Sequence, residues 1–394
     1  MESRCLFICS VDPWPETSGP KMRISQVARA IARSMPVDMV TPQLAATITP
    51  PPGIRQRLVL PARRERSEPL AWVSWCTGKQ PFLVCRVSSR QQIRALRSID
   101  LSGYSLIWCH RAENLHLLPS RLASSLVVDL DDLESSKRRL HAMSLGSATT
   151  AIRGHARNWF IQADSRRHER LRNLAASRSA ATVLANPDDL VTAGLSNAYR
   201  VRNGYPVPSS PDFRARLSRT PRVLLFVGLM TYAPNTAAAH TLARLAPVLA
   251  EDSPDLDIRI VGQHRGRLAD IADMPHVTVV GEVKDLGPEL EQADVVMTPI
   301  PYGGGTRIKI IEAMAHGIPV VSSTIGAAGL GLAPERHFLT AEDEQQLVQA
   351  WLRLRGDWGP TVGRMMEEAY NHVKKEFSFD AVCRDVDAVL GAVR

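Results

Sequence analysis

The run Gly303-Gly304-Gly305-Thr306-Arg307-Ile308-Lys309, followed by Glu312, holds the residue types from which an anion site is made. Glycines let a ligand come close to the backbone. The first peptide N–H groups of a helix are unpaired and carry the positive end of its dipole. Arg307 and Lys309 add full positive charge to that first turn, where a structural helix favours acids. Cations in that position predict an anion that neutralises them. Glu312 stands one turn beyond Lys309, past the place a phosphate would occupy. A carboxylate there can accept two hydroxyl hydrogen bonds, as a ribose offers. The same residues also fit a plain strand–turn–helix crossover with solvated charges.

The flanking residues supply the elements that would hold such a turn. Val295-Val296-Met297-Thr298-Pro299-Ile300 is an apolar strand, and Gly317 and Pro319 end the helix before a second apolar strand begins. That alternation runs through the chain. Strands are predicted near 4–10, 37–41, 55–60, 105–110, 126–130, 181–186, 199–202, 222–228, 257–262, 277–281, 294–299 and 319–323. Helices are predicted over 20–34, 88–98, 155–176, 235–250, 285–292, 306–316 and 343–355. Short apolar strands alternating with helices imply an α/β protein with parallel sheets covered on both faces. The stretch 42–82 reads as irregular, with a basic patch at Arg63, Arg64 and Arg66. Trp72 and Trp75 are expected there on a loop that borders a cleft, as acceptor contacts, with core packing the alternative.

A chain of 394 residues exceeds one ordinary core and predicts two domains. The Pro- and Ser-rich segment 203–211 is the natural connector. The expected division is 1–205, 206–376, and a terminal helix within 377–394. Val382, Val386, Val389, Leu390 and Val393 give that helix one apolar face, which must dock on something already folded.

Hydrophobic content of 44% and charged content of 22% are those of a globular protein, and no apolar run nears the length of about 20 residues that spans a membrane. The first strand is too short for a signal peptide's apolar core, which predicts a cytoplasmic protein. Six scattered cysteines without a CxxC pair predict buried thiols and no metal site. Residues 1–205 hold 29 Lys and Arg against 16 Asp and Glu, whereas the remainder holds 19 against 24. A basic first half suits a membrane surface, at the inner face of a membrane, or an acidic glycan. Its arginines are spread out without interleaved aromatics, which argues against nucleic acid.

Several segments together resemble the retaining glycosyltransferases of family 4, which have the GT-B fold. They are Leu225-Phe226-Val227-Gly228 with Pro234-Asn235, Ile260-Val261-Gly262, Gly281-Glu282-Val283-Lys284-Asp285, Ala293-Asp294-Val295, and above all GGGTRIKIIEAMAHGIPVVSSTIGAAGL at 303–330. Weaker matches in the first half are Pro13-Trp14-Pro15 with Ser18-Gly19, Ile107-Trp108-Cys109-His110, Asp129-Leu130-Asp131-Asp132, and Val201-Arg202-Asn203-Gly204. The resemblance implies two doubly wound Rossmann-like domains facing across a cleft, a nucleotide sugar of UDP or GDP type held by the second, and a last helix that returns to the first.

Carried over residue by residue, the resemblance gives Glu312 the ribose. The family's first glutamate falls at Gly304, a departure shared by a GGGTR-type branch. Leu229-Met230-Thr231 replaces the usual Arg and Lys after Gly228, so Arg307 and Lys309 become the diphosphate contacts, with Gly304, Gly305 and Thr306 in the turn. Gly19 faces the phosphates from the first domain, and His110 approaches the donor sugar or is a structural residue. Gly281 and Val283 read the base through backbone groups. Asp129 and Asp132 bind acceptor hydroxyls or cap the next helix, while His264 and His316 read as surface residues. The reaction implied is transfer of a hexose-type sugar to an acceptor hydroxyl without a metal. A nucleotide-sugar epimerase and a non-catalytic nucleotide or glycan binder are the alternatives.

Overall fold

A computed structural model describes the protein at all positions except 1–2, 17, 43–49, 62–63, 123–124, 136–151 and 394. Arg63 lies outside the described residues. The chain divides into two compact units, Met1–Gly204 with Phe379–Arg394, and Tyr205–Gly303 with Arg307–Ser378. The three residues Gly304–Thr306 are counted with the first.

The first unit is built on a parallel sheet of seven strands. These are β1 (Cys5–Ile8), β2 (Val37–Thr41), β3 (Ile54–Val59), β6 (Leu106–His110), β7 (Ser125–Asp131), β8 (Ala181–Leu184) and β9 (Ala198–Arg200). Between β3 and β6 lies a short antiparallel pair, β4 (Arg64–Glu65) with β5 (Val87–Ser88). The main sheet runs in the order β3-β2-β1-β6-β7-β8-β9. Its central strands are unbroken apolar runs because helices cover both faces. Phe7 of β1 stacks on Trp108 of β6 with ring centroids 6.3 Å apart, both fully buried. The second unit repeats the plan with β10 (Val223–Val227), β11 (Asp257–Val261), β12 (Val277–Gly281), β13 (Val295–Thr298), β14 (Val320–Ser322) and β15 (Leu339–Thr340). Its order is β12-β11-β10-β13-β14-β15. In each sheet the winding reverses once, between β1 and β6 and between β10 and β13. Ligands of open parallel sheets bind at the carboxyl ends of the strands beside such a reversal.

The last helix, Phe379–Val393, belongs to the first unit. It buries Val382, Val386, Val389 and Leu390 in one cluster with Ile24, Val27 and Ile31 of the helix Gly19–Ala32. Asp385 fixes its register through paired bonds to Arg202, at 2.6 and 2.9 Å. Among the described residues no helix is long and apolar enough to cross a membrane.

The segment 42–82 departs from expectation. Trp72 and Trp75 stand on a helix, Glu68–Thr77, and not on a loop. Their rings pack with Phe82, Trp159 and Phe160 at centroid distances of 4.7–6.0 Å. Trp75 is buried and gives its indole N–H to Asp164 at 2.8 Å. Aromatic packing against the helix Ile152–Arg178, distant in sequence, orders a stretch that has no clean period of its own.

One buried charge network ties the first unit together. Arg23 is fully enclosed and gives Nε and Nη2 to the Asp129 carboxylate over 2.7–3.2 Å. Its Nη1 donates to the Val201 carbonyl and to Asn203 Oδ1, each at 2.7 Å. Burial alone would lower the guanidinium pKa, but Asp129 and Asp131 hold it above its ordinary value. Replacing one partner of such a pair strands the other charge in the core. Arg23→Met is expected to cost about 3–5 kcal/mol in urea unfolding of the first unit, and Arg23→Met with Asp129→Asn to cost less than the single change. A single substitution within about 0.5 kcal/mol of wild type would show that Asp129 is hydrated.

Candidate functional site

The carboxyl edge of the second sheet is lined by glycine. β10 runs into Gly228, β11 into Gly262, and β12 ends on Gly281. Gly228 N–H donates to the Val261 carbonyl at 2.9 Å and Gly262 N–H to the Gly281 carbonyl at 2.7 Å. Gly262 has φ +132°, and a Cβ there would lie 1.9 Å from the Gly228 carbonyl oxygen, so only glycine fits. A Cβ at Gly228 would meet Lys309 Nζ at 2.9 Å and the Asn235 amide at 2.8 Å. The lysine ammonium therefore lies against the bare backbone at the end of β10, beside the reversal of the sheet.

Lys309 and Glu312 ride on the helix Ile308–Ala315, which follows β13 and its glycine turn. Ile310, Ile311, Ala313 and Met314 point inward and seat the helix. Lys309 and Glu312 are half-buried. The helix has no acid in its first turn and no side-chain cap, and Arg307 occupies the N-cap position. Lys309 Nζ donates to Asn235 Oδ1 at 2.8 Å and sits 4.4 Å from the centre of the Phe226 ring. An aromatic face and an amide oxygen attract an ammonium without neutralising it. No carboxylate pairs with Lys309 among the described residues. Burial first, then the like charge of Arg307, bring its pKa down to about 7. Arg307 is itself buried, and its Nη2 would lie 3.2 Å from a Cβ on Gly303. Gly303 and Gly305 hold φ of +124° and +87°, which keeps the turn open to left-handed backbone only glycine takes readily. Glu312 Oε1 accepts a hydrogen bond from the Tyr205 hydroxyl at 3.1 Å. Burial raises this carboxyl to about 6, and the Tyr205 bond opposes that rise.

Arg307, Lys309 and Glu312 thus come together in the second unit, with Gly304, Gly305 and Thr306 in the turn before them. Gly281 and Val283 lie on the same carboxyl edge, Gly281 with φ +81° and Val283 half-buried. In the first unit, Gly19 opens the helix after β1 and His110 ends β6, so both flank that sheet's reversal. His110 is buried, and neither ring nitrogen has a hydrogen-bond partner among the described residues. Burial drives it down to about 4, against the pull of Asp129, so the ring is neutral at pH 7.

Three expectations need correction. Asp129 is fully buried in the Arg23 pair, so its carboxylate is taken up in the core and not at an exposed strand end. His316 is not a surface residue, since it is half-buried with its Nε2 at 3.2 Å from the Tyr205 hydroxyl. Trp75 is a core residue, and only Trp72, at 37% exposure, reaches the surface. Asp132 is half-buried beside a cavity of about 30 Å³ that Glu113, Glu134, His168 and Arg172 also line. His264 is likewise half-buried, and its Nδ1 accepts from Gly266 N–H. Tyr205 and Asn235 were not foreseen as site residues. Asn235 stands in a quoted segment but carries no local sign of its role, and Tyr205 lies in what reads as a connector.

Residues 221–357 match the family described as Glycosyl transferases group 1. A phosphatidyl-myo-inositol mannosyltransferase of Mycobacterium tuberculosis is 32% identical over 142 residues, 34% of this chain and 36% of its own. Its counterpart in Mycolicibacterium smegmatis is 33% identical over 141 residues. The chain thus spans about a third of the length of the curated relatives it matches. Over the whole chain, a sucrose-phosphate synthase from Thermosynechococcus elongatus superposes with a TM-score of 0.68 at 18% identity, covering 99% of this chain and 98% of that one. The Anabaena protein HepE, solved in complex with UDP and glucose, gives 0.63 at 15% identity, covering 99% and 100%. The fold is GT-B, with two doubly wound Rossmann-like units.

The electrostatics of Lys309 can be read without any ligand. In a lysine-resolved NMR titration its ammonium is expected to titrate near pH 7, about three units below an ordinary lysine. Arg307→Gln removes the like charge and should move that midpoint upward. A midpoint near 10 in the wild type would contradict the described burial.

Proposed function

We propose that the protein is a retaining glycosyltransferase of the family 4 type, of the GGGTR branch, that moves a hexose-type sugar from a UDP- or GDP-linked donor to an acceptor hydroxyl. One observation carries the reading: an ammonium is pressed against Gly228 with a neutral amide as its partner, and a carboxylate stands one turn further along the same helix. A nucleoside diphosphate matches both, its phosphates against Arg307 and Lys309 and its ribose hydroxyls on Glu312. The match of residues 221–357 to a glycosyltransferase family, and the UDP bound by HepE, support the choice of ligand.

The chemistry follows from that placement. The bond from the anomeric carbon to the departing phosphate oxygen breaks as the acceptor oxygen bonds on the same face. The acceptor hydroxyl proton passes to that phosphate oxygen. Arg307 and Lys309 stabilise the charge that develops on the leaving diphosphate, most strongly where water is excluded. They supply what a metal supplies elsewhere, so the reaction is metal-independent in this reading. Lys309 titrates near neutrality when free and would be held protonated by the bound phosphates. On the first unit, Gly19 and neutral His110 stand as candidates for donor contacts. Gly281 and Val283 contact the base, and Asp132 and Trp72 remain acceptor candidates.

The acceptor side suits an anionic membrane surface. Leu70, Val73, Leu83 and Trp159 are 49–65% exposed, all on the aromatic cluster of the first unit. Arg66, Lys79, Arg86 and Arg90 are exposed in the same stretch of chain as Leu70, Val73 and Leu83, with Glu65 and Glu68, and Arg86 pairs with Glu65 at 3.8 Å. Exposed apolar side chains in a basic stretch match a bilayer interface with anionic headgroups.

Two measurements test the reading. Lys309→Ala and Glu312→Ala should each reduce sugar transfer at least about tenfold while the fold survives. Wild-type rates in both, or tight nucleotide binding with no transfer to any of a broad acceptor panel, would refute it. The chain should co-sediment with phosphatidylglycerol vesicles and not with phosphatidylcholine vesicles. Leu70→Ser with Val73→Ser and Leu83→Ser should abolish that binding without altering nucleotide affinity, and unchanged sedimentation would remove the membrane assignment.

A further inference from the structure

Glu312 and His316 lie one helical turn apart and face the same way. Across from both stands Tyr205. Its hydroxyl is 3.1 Å from Glu312 Oε1 and 3.2 Å from His316 Nε2, and the Tyr205 and His316 rings meet edge-on at 6.2 Å. A phenol has one proton to give. Given to the carboxylate, it leaves the phenol oxygen to accept, and His316 must then present Nε2–H. The three groups form a directed chain, from His316 through Tyr205 to Glu312.

Tyr205 is held firmly. Its backbone N–H donates to the Phe377 carbonyl at 2.7 Å, so the first residue of the second unit is tied beside its end. Tyr370 bonds the carbonyls of Pro208 and Ser209, each at 2.8 Å, and fixes the segment that follows. A Cβ on Gly317 would press on Phe213 at 2.7 Å, so that segment lies closely on the end of the site helix. A bond from a fixed donor occupies one lone pair of Oε1 and sets the plane of the carboxylate.

We infer that Tyr205 is a positioning residue for nucleotide recognition: its hydroxyl orients the Glu312 carboxylate, so that the free lone pairs meet both hydroxyls of a ribose. This rests on the proposed role of Glu312 and adds to it a residue outside the matched segment 221–357. Burial raises the Glu312 carboxyl to about 6, and the Tyr205 bond is the influence that works against that rise. The other charged groups around the chain act on its neighbours. Arg216 and Glu291 act on His316, and burial with Arg216 keeps that imidazole below its usual range. Arg307 acts on Lys309.

Tyr205→Phe keeps the ring and its packing and removes only the hydroxyl. UDP and GDP, each with its 2′,3′-dideoxy counterpart, are titrated into wild type, Tyr205→Phe and Glu312→Ala between pH 5 and 8, with thermal unfolding as the fold control. Wild type should prefer the ribonucleotide about tenfold, and Tyr205→Phe should lose most of that preference while holding the dideoxy form as before. The acid limb of ribonucleotide affinity should lie near pH 6 in wild type and move to higher pH in Tyr205→Phe. A retained preference with an unmoved limb would overturn the inference and leave the Glu312 assignment standing. An equal loss for both nucleotide forms would mark Tyr205 as structural packing and likewise overturn it. A wild type that binds no ribonucleotide, or a Glu312→Ala variant with full preference, would overturn both.

Discussion

The second unit is arranged around a half-buried ammonium that has no carboxylate to pair with among the described residues. Burying an uncompensated charge is costly, and a protein left to its own stability would neutralise or expose it. Here the structure does the reverse. Gly228 removes the side chain that would push Lys309 away, Asn235 and Phe226 attract the charge without cancelling it, and Arg307 adds a second cation. Each choice makes sense if the compensating charge arrives with a ligand. The depressed pKa follows from burial and from Arg307, with no acid set beside the lysine among the described residues.

The doubly wound sheet makes this arrangement possible. Where the winding reverses, between β10 and β13, the two connections leave in opposite directions and a gap opens at the carboxyl ends. The connection after β13 fills it with a left-handed glycine turn and the start of a helix, and the one after β10 with Gly228 and the helix Ala233–Glu251 that carries Asn235. The first unit has the same reversal, between β1 and β6, but treats charge in the opposite way. Arg23 meets Asp129, two carbonyl-type oxygens and the edge of Asp131, so its network is closed and rigid. The first unit balances its buried arginine, and the second leaves Lys309 without a carboxylate among the described residues.

Much of this was legible in the sequence because its signals are local. Gly303 to Glu312 sit within one turn and one helix, so their spacing put the cations and, one turn beyond them, the acid on one short segment. The alternation of apolar strands and helices located most of both sheets for the same reason. What could not be read was set by partners distant in the chain. Tyr205 meets Glu312 across 107 positions and Lys309 meets Asn235 across 74. Trp75 is core because Asp164 and Phe160 come to it, and Asp129 is buried because Arg23 does. The helix Pro360–Glu376 was not expected either. Its buried positions do recur at helical spacing, but Gly363 and a run of charges between them weaken the pattern.

The departure at Gly304 has a physical reading of its own. Gly303 and Gly305 are required by the backbone, since both hold φ in the left-handed region and a Cβ on Gly303 would lie 2.6 Å from the Tyr232 hydroxyl. Gly304 is not among the positive-φ glycines, so its backbone angle would admit any residue. An acid at 304 would stand three residues before Arg307 and five before Lys309, offering them a neutralising charge of the protein's own. With glycine there, the turn adds no acid of its own beside Arg307 and Lys309, and Glu312 is the nearest carboxylate that follows them in the chain.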